Sequence, residues 1–113
     1  MRTVANIKKL NPQVKVILFG SHPTFMPLSC LEESLVDFVI IREPEMTIRD
    51  LVRRVVDGKD LQGLPGCGYK NGEGPIVNEF DGHFDMNQLP IPDWTFLSFL
   101  YPNTNNNIII SAA

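Results

Sequence analysis

Two short apolar segments, each followed at once by polar and turn-forming residues, constrain the fold of this chain most strongly. The first covers residues 14–20 and the second covers residues 37–41. Nearly continuous aliphatic and β-branched runs of this length are typical of parallel strands that are covered on both faces. The carboxyl ends of parallel strands meet at one edge of a sheet, and ligands of open α/β folds bind there. The pattern therefore predicts an α/β fold with a ligand crevice at that edge.

Helical patterns surround the two predicted strands. Apolar residues at helical spacing predict a helix over residues 3–10, and a short helix capped by Ser29 follows Pro27. A third helix begins at a Thr47 cap and ends at Gly58. The order strand, helix, strand, helix predicts a parallel sheet with right-handed crossovers.

The character of the chain changes after residue 64. The dipeptide Asn71-Gly72 lies between two apolar segments and predicts a β-hairpin over residues 65–79. Residues 80–107 contain prolines and aromatic residues without a helical or strand period, which predicts an extended strap along a surface. Residues 108–113 are typical of the start of a strand. We therefore divide the chain into an α/β unit over residues 1–64, a hairpin over 65–79 and a linker over 80–113.

Composition excludes several classes of protein. A chain of 113 residues supports a single domain, and a net charge of −3 without a basic stripe argues against nucleic acid as a partner. No apolar run is long enough to cross a bilayer and no signal peptide is recognisable, so we expect a cytoplasmic protein without a membrane partner. Cys30 and Cys67 lack the spacing of a redox or zinc motif and are interpreted as plain buried thiols. No residue is predicted to bind a metal or to act as a catalyst.

Polar residues that follow the two strands form the candidate site. Those after the first strand are Gly20, Ser21, His22 and Thr24, and those after the second are Arg42, Glu43 and Glu45. His22 could donate to a ligand, bind a metal or cap the backbone. Glu43 and Glu45 are two residues apart and could share acid–base work. The simpler interpretation, which we favour, is that Glu45 caps the next helix and Glu43 is solvated.

Segments 8–27, 37–80 and 86–97, which cover nearly the whole chain, together resemble cobalamin-binding radical S-adenosylmethionine proteins. In that family one strand ends in a Gly-x-His-x-Thr loop, the next is followed by Gly-Glu-x-Glu-x-Thr and a helix, and a Leu-Pro-x-Pro strap leads to the catalytic barrel. The residues that match these motifs are Gly20, His22, Thr24, Glu43, Glu45, Thr47, Leu89, Pro90 and Pro92. The chain departs from the pattern at Ser21 and Arg42, where the family commonly has glycine.

The resemblance implies a fold and a function for this chain. The fold would be a partial Rossmann-like, flavodoxin-like parallel sheet, namely the carboxyl half of a cobalamin-binding domain followed by a linker. The parent would be a methyltransferase or an oxidative cyclase, of the kind named anaerobic magnesium-protoporphyrin IX monomethyl ester cyclase. The implied cobalamin-binding residues are Gly20, Ser21, His22, Thr24, Glu43 and Glu45.

The remaining cofactors of such a parent would lie outside this chain. An iron–sulfur cluster that cleaves S-adenosylmethionine needs three cysteine ligands, and Cys30 and Cys67 cannot supply them. We therefore expect this fragment to have no catalytic activity without the radical S-adenosylmethionine barrel, its expected partner, and to bind cobalamin weakly or not at all.

Two other functions and one mode of association stay open. The chain could be a structural or interaction α/β module that binds no cobalamin, or a small enzyme that uses His22 with Glu43. In the flavodoxin-like strand order, loss of the first two strands would leave the strand over residues 14–20 without a neighbour. An unpaired apolar edge can recruit another chain, so a homodimer through this edge is a further expectation.

Overall fold

The described part of the chain folds into a four-stranded sheet with a helix layer on each face. A computed structural model describes residues 2–82, 85–93 and 95. The helices are α1 (Arg2–Leu10), α2 (Ser21–Phe25), α3 (Pro27–Glu32) and α4 (Glu45–Val56), and Met86–Gln88 form a single 3₁₀ turn. The strands are β1 (Ile17–Phe19), β2 (Phe38–Ile40), β3 (Cys67–Asn71) and β4 (Gly74–Val77). Most of the strap's aromatic residues and the strand-like segment 108–113 lie outside the described residues.

The sheet is mixed and its strands are in chain order, β1-β2-β3-β4. β1 pairs with β2 in parallel, whereas β2 with β3 and β3 with β4 are antiparallel. The prediction of an α/β fold with parallel first strands is confirmed. The predicted hairpin is confirmed too, and it extends the sheet through β3. Its turn is Gly72-Glu73, one residue later than predicted, because Asn71 pairs with Gly74 and its side chain accepts hydrogen bonds from the turn amides.

One row of residues across the sheet faces helix α3. In this row Leu18 lies beside Val39, Val39 beside Gly68, and Gly68 beside Val77. Leu31 of α3 is fully buried and packs with Cys30, Val36 and Val39, with Leu18 and Val77 at the margin. Burial of a leucine side chain stabilises a fold by about 1.5–3 kcal/mol. This cluster is one half of the core.

The opposite face of the sheet packs against helix α4. Side chains alternate along β2, so Ile40 points away from α3 and joins Leu51, Leu64 and Cys67 in a second cluster. Thr47 is buried in the first turn of α4, and its hydroxyl donates to the carbonyl of Pro65 at 2.9 Å. That bond fixes the start of α4 against the loop that leads into β3.

The first strand is covered in part on both faces, as predicted. Leu18 packs against the cluster beside α3 and Ile17 against the cluster beside α4, and both are half-buried, whereas Phe19 is 57% exposed. Among the described strands β1 lies at the edge of the sheet, so the outer edge of its backbone has no paired strand there. Pairing of two copies through this edge stays a prediction.

Two predicted helix caps are wrong. Helix α3 begins at Pro27, not beside Ser29, because the fixed φ of proline suits the first helical position and its missing N–H needs no partner. Helix α4 begins at Glu45, two residues before Thr47, and no side chain makes a cap hydrogen bond there. Glu45 instead lies in the first turn, where the positive end of the helix dipole favours a carboxylate. The predicted end at Gly58 is supported, since Gly58 has φ 66° directly after the Asp57 cap.

Asp37 joins the amino end of β2 to the segment before β1. Its carboxylate accepts hydrogen bonds from the Lys8 ammonium at 2.8 Å and the Val16 amide at 2.9 Å, and Lys15 lies 3.4 Å away. Partial burial raises the pKa of Asp37, but the Lys8 and Val16 hydrogen bonds and the two lysine charges together leave the pKa below its usual value. The folded state therefore holds the charged form of Asp37.

Replacement of this carboxylate by Asp37→Asn is expected to lower the free energy of unfolding by about 0.5–1 kcal/mol near neutral pH. Because the pKa of Asp37 is lower in the folded state, the unfolded state binds the proton more readily and stability rises with pH. The difference between wild type and variant should be complete above about pH 5. It should disappear as pH falls through about 3.9 and then through the lower folded pKa.

Urea unfolding at several pH values measures this difference. Glu73→Gln, which removes an exposed carboxylate at the hairpin turn, is the control and should leave the free energy of unfolding close to that of wild type. An Asp37→Asn deficit that stays constant into acid would contradict the ionic role of Asp37.

The described part of the strap follows β4 with little regular structure. Phe80 and Leu89 are half-buried, whereas Ile91 is 92% exposed. Over the residues that can be described, no helix combines the length and apolar character needed to cross a membrane.

Candidate functional site

The predicted crevice is present at the carboxyl ends of β1 and β2. It is an open hollow of about 640 Å³. The residues that line it are Gly20, Ser21, Thr24, Phe25, Arg42, Glu43, Phe80 and Gly82. Its walls are thus the segment after β1, the segment after β2 and the start of the strap.

Helix α2 explains which residues after β1 reach the crevice. The sequence suggested a loop here, but residues Ser21–Phe25 form one helical turn, with a backbone bond from Thr24 to Gly20. Ser21, Thr24 and Phe25 are at positions i, i+3 and i+4, which share one face of a helix. All three line the crevice, whereas His22 is exposed and does not line it.

Gly20 makes the sharp turn from β1 into α2. Its φ of 106° and ψ of −163° lie in a region that is essentially restricted to glycine. A Cβ added at Gly20 would meet nothing within 4 Å, so the backbone conformation alone requires glycine. The same open space leaves the Gly20 backbone accessible to a ligand.

Gly20→Ala is expected to lower the free energy of unfolding by about 1–2 kcal/mol, since alanine in this region is strained and no side-chain clash adds to the cost. Chemical unfolding measures the change. Gly72→Ala is the control, because that glycine also has open space around it and has no positive φ. Equal stability of the two variants would contradict a strained turn at Gly20.

Thr24 joins the two segments that form the crevice. Its hydroxyl donates to the Gly20 carbonyl at 2.8 Å and accepts from the Arg42 amide at 3.0 Å. Arg42 has φ 61°, and among the described residues other than glycine it is the one with a positive φ. The family that the sequence resembles commonly has glycine at this position. In this chain the backbone at residue 42 has a conformation that suits glycine, but the residue carries a charged side chain. A left-handed conformation costs about 1–2 kcal/mol in a residue with a Cβ.

The crevice gathers five of the seven residues that the sequence singled out. These are Gly20, Ser21, Thr24, Arg42 and Glu43. His22 and Glu45 are exposed and lie outside it, at α2 and at the start of α4. Glu43 also lines a smaller neighbouring hollow of about 180 Å³ beside Thr47 and Asp50.

Sequence reasoning missed two aromatic residues and one glycine of the crevice. Phe25, Phe80 and Gly82 line it, and Phe80 comes from the segment after the hairpin. Phe80 is held against Gly66, where an added Cβ would lie 2.9 Å from the Phe80 ring. The Gly66 carbonyl in turn accepts a hydrogen bond from the Ile41 amide at 2.9 Å. This bond connects the end of β2 to the segment against which Phe80 packs. The aromatic side chain of residue 80 is the feature of the sequence that could have indicated its place in the crevice.

Both cysteines are buried and belong to opposite core clusters, Cys30 beside α3 and Cys67 beside α4. Burial raises the pKa of the Cys67 thiol to about 11, which the charge of Arg54 only partly offsets. A neutral, buried thiol is a poor nucleophile and a poor metal ligand. The prediction of plain thiols fits this placement. Over the described residues, no three His, Cys, Asp or Glu side chains cluster in a way that could hold a metal.

The crevice combines apolar and polar groups. Phe25 and Phe80 offer apolar surface, and Ser21, Arg42 and Glu43 offer hydrogen-bonding groups. Pockets of about 300–1,000 Å³ enclose drug-sized ligands, and cobalamin is much larger. A ligand of that size could therefore contact the crevice only along one edge.

Comparison with known proteins gives one relative of this chain. No protein-family profile matches the chain. An uncharacterized methyltransferase of Pyrococcus horikoshii is 36% identical to it over 99 residues. The aligned region covers 84% of this chain and 21% of the relative. The chain thus spans about a fifth of the length of the curated relative that it matches.

Proposed function

We propose that this chain is part of the cobalamin-binding domain of a radical S-adenosylmethionine protein and forms one wall of the cobalamin site. The observation that carries the proposal is the crevice at the ends of two parallel strands, lined by Gly20, Thr24 and Glu43 of the family pattern. The methyltransferase relative supports a parent in which a methyl group is transferred.

In this proposal each crevice residue has a distinct role. Gly20 lets the ligand approach the backbone, because the space above its Cα is open. Thr24 holds the segments after β1 and β2 at a fixed separation through its two hydrogen bonds. Glu43 accepts hydrogen bonds from corrin amide groups. His22 and Glu45, which match the family pattern but lie outside the crevice, flank the site.

Catalysis would need groups that this chain does not supply. Bound cobalamin would provide the methyl-carrying centre, while the iron–sulfur cluster and S-adenosylmethionine would be held by the barrel of the parent. Neither Cys30 nor Cys67 is available for a cluster, since they are buried on opposite faces of the sheet. The contribution of the chain would be binding and orientation.

Equilibrium dialysis of the 113-residue chain against hydroxocobalamin tests the proposal. We expect weak, saturable binding, because the crevice would contact the cofactor only along one edge. Glu43→Gln should weaken it about threefold to tenfold, the effect of one hydrogen bond of about 0.5–1.5 kcal/mol. The matched control is Glu73→Gln, which removes an equal charge at the hairpin turn. Since β3 runs antiparallel to β2, that turn lies at the opposite end of the sheet.

A second candidate function is a structural or interaction module that binds no cobalamin. Arg42 favours it, because a side chain occupies the place where the family pattern leaves the backbone bare. This candidate predicts no saturable uptake of hydroxocobalamin by the wild-type chain. Saturable binding with equal affinity in wild type and Glu43→Gln would instead place the ligand elsewhere on the molecule.

A further inference from the structure

The two departures from the family pattern, Ser21 and Arg42, lie in the same crevice and both carry hydrogen-bond donors. Ser21 begins helix α2 and Arg42 follows β2, so they come from the two different segments that Thr24 joins. They meet because the carboxyl ends of two paired parallel strands lie at one edge of the sheet. Their meeting places two hydrogen-bond donors on one surface.

The side chains of both residues are available to a ligand. Both are exposed, and within the described ranges neither the Ser21 hydroxyl nor the Arg42 guanidinium has a hydrogen-bond or ion-pair partner. The backbone of Arg42 is nevertheless fixed, because its amide donates to Thr24 and its φ is 61°. Strained residues of this kind persist where the surrounding structure holds them and are concentrated at ligand sites.

The charges of the crevice residues indicate which kind of ligand group the Ser21 and Arg42 donors would bind. Among the described residues that line the crevice, Arg42 is the cation and Glu43 is the anion. A guanidinium binds phosphate oxygens in a bidentate manner, and a serine hydroxyl can donate a further hydrogen bond. An anionic ligand group would therefore be bound by Arg42 and Ser21 rather than by the Glu43 carboxylate.

Resting on the proposed function, we infer that Arg42, assisted by Ser21, binds the phosphodiester of the cobalamin nucleotide loop and makes this site select complete cobalamin. The corrin ring itself offers neutral amides, which Glu43 can bind. Cobinamide, which keeps the corrin ring and lacks the nucleotide with its phosphodiester, should lose the Arg42 contact. Arg42 is in this sense a specificity-determining residue.

Dialysis with the two corrinoids tests the inference on the full chain. We expect Arg42→Gln to weaken hydroxocobalamin binding about tenfold and to change cobinamide binding less than about twofold. Ser21→Ala should weaken hydroxocobalamin about twofold to threefold, again with no effect on cobinamide. The control is Arg53→Gln, which removes an exposed cation of α4 outside the crevice and should change neither affinity.

The outcomes separate this inference from the proposed function. Saturable binding of both corrinoids by wild type, with equal effects of Arg42→Gln on the two, would overturn the phosphodiester contact and leave the cobalamin site in place. Failure of wild type to bind either corrinoid would overturn the proposed function, and the inference with it. Urea unfolding of Arg42→Gln should match wild type, since both side chains adopt the same backbone; a large loss of stability would assign Arg42 a structural role instead.

Discussion

Leu31→Ala is expected to lower the free energy of unfolding by about 3 kcal/mol, near the middle of the range for a buried leucine. Leu31 is fully buried where helix α3 packs on the sheet, and it touches the row formed by Val39, Gly68 and Val77. Truncation would leave a cavity that three β-strands and a helix cannot close together. In a small domain, that loss is a large fraction of the total stability.

Urea denaturation followed by circular dichroism measures the loss. Leu28→Ala is the matched control, because Leu28 is on the same helix and is 52% exposed, so its truncation should cost less than about 1 kcal/mol. Similar midpoints for the two variants would show that α3 is not packed on the sheet as described.

Gly68→Ala is expected to cost about 2–3 kcal/mol through overpacking of the same core. A Cβ at residue 68 would lie 2.5 Å from a methyl carbon of Val39 and 3.1 Å from one of Leu31. Both neighbours are fully buried, so neither can move freely to make space. Although alanine is ordinarily preferred to glycine within a strand by about 0.5–1 kcal/mol, the clash outweighs that gain.

A double variant makes this prediction specific. Val39→Ala removes the methyl carbons nearest to the added Cβ, so the combination Gly68→Ala with Val39→Ala should be more stable than the sum of the single losses predicts. Gly72→Ala, in the turn of the same hairpin, has open space around it and should be close to neutral. Additive losses for residues 39 and 68 would show that the clash with Val39 is not the cause.

Sequence alone predicted the elements whose signals are local and repeated. Helix α4 has apolar residues at successive helical positions and a glycine directly after its cap, so its existence and end were accessible. The hairpin was accessible because Asn71-Gly72 indicates a turn, although the turn itself lies one residue later. The crevice followed from topology, since two parallel strands must end at the same edge of the sheet.

What the sequence did not reveal depends on contacts between distant residues. Thr24 and Arg42 are 18 positions apart and meet only because β1 and β2 are paired. The place of β1 at the edge of the described sheet is not encoded by local composition. Phe80 reaches the crevice because the absence of a side chain at Gly66 leaves space for its ring.

The change from loop to helix at residues 21–25 altered the predicted site itself. In an extended loop His22 and Thr24 would point the same way, because side chains alternate with a period of two. In helix α2 they are turned away from each other, and Thr24 shares a face with Ser21 instead. A single helical turn is too short to show periodicity, so the sequence could not distinguish these two arrangements.

In the proposed function, cobalamin contacts the crevice at the carboxyl ends of β1 and β2. An NMR titration of the ¹⁵N-labelled chain with hydroxocobalamin tests it most directly, because it reports both binding and its location. We predict saturable shifts at the amides of Gly20, Ser21, Thr24, Arg42 and Glu43, with little change at the hairpin turn around Glu73. Absence of saturable shifts, or shifts centred away from the crevice, would contradict the claim.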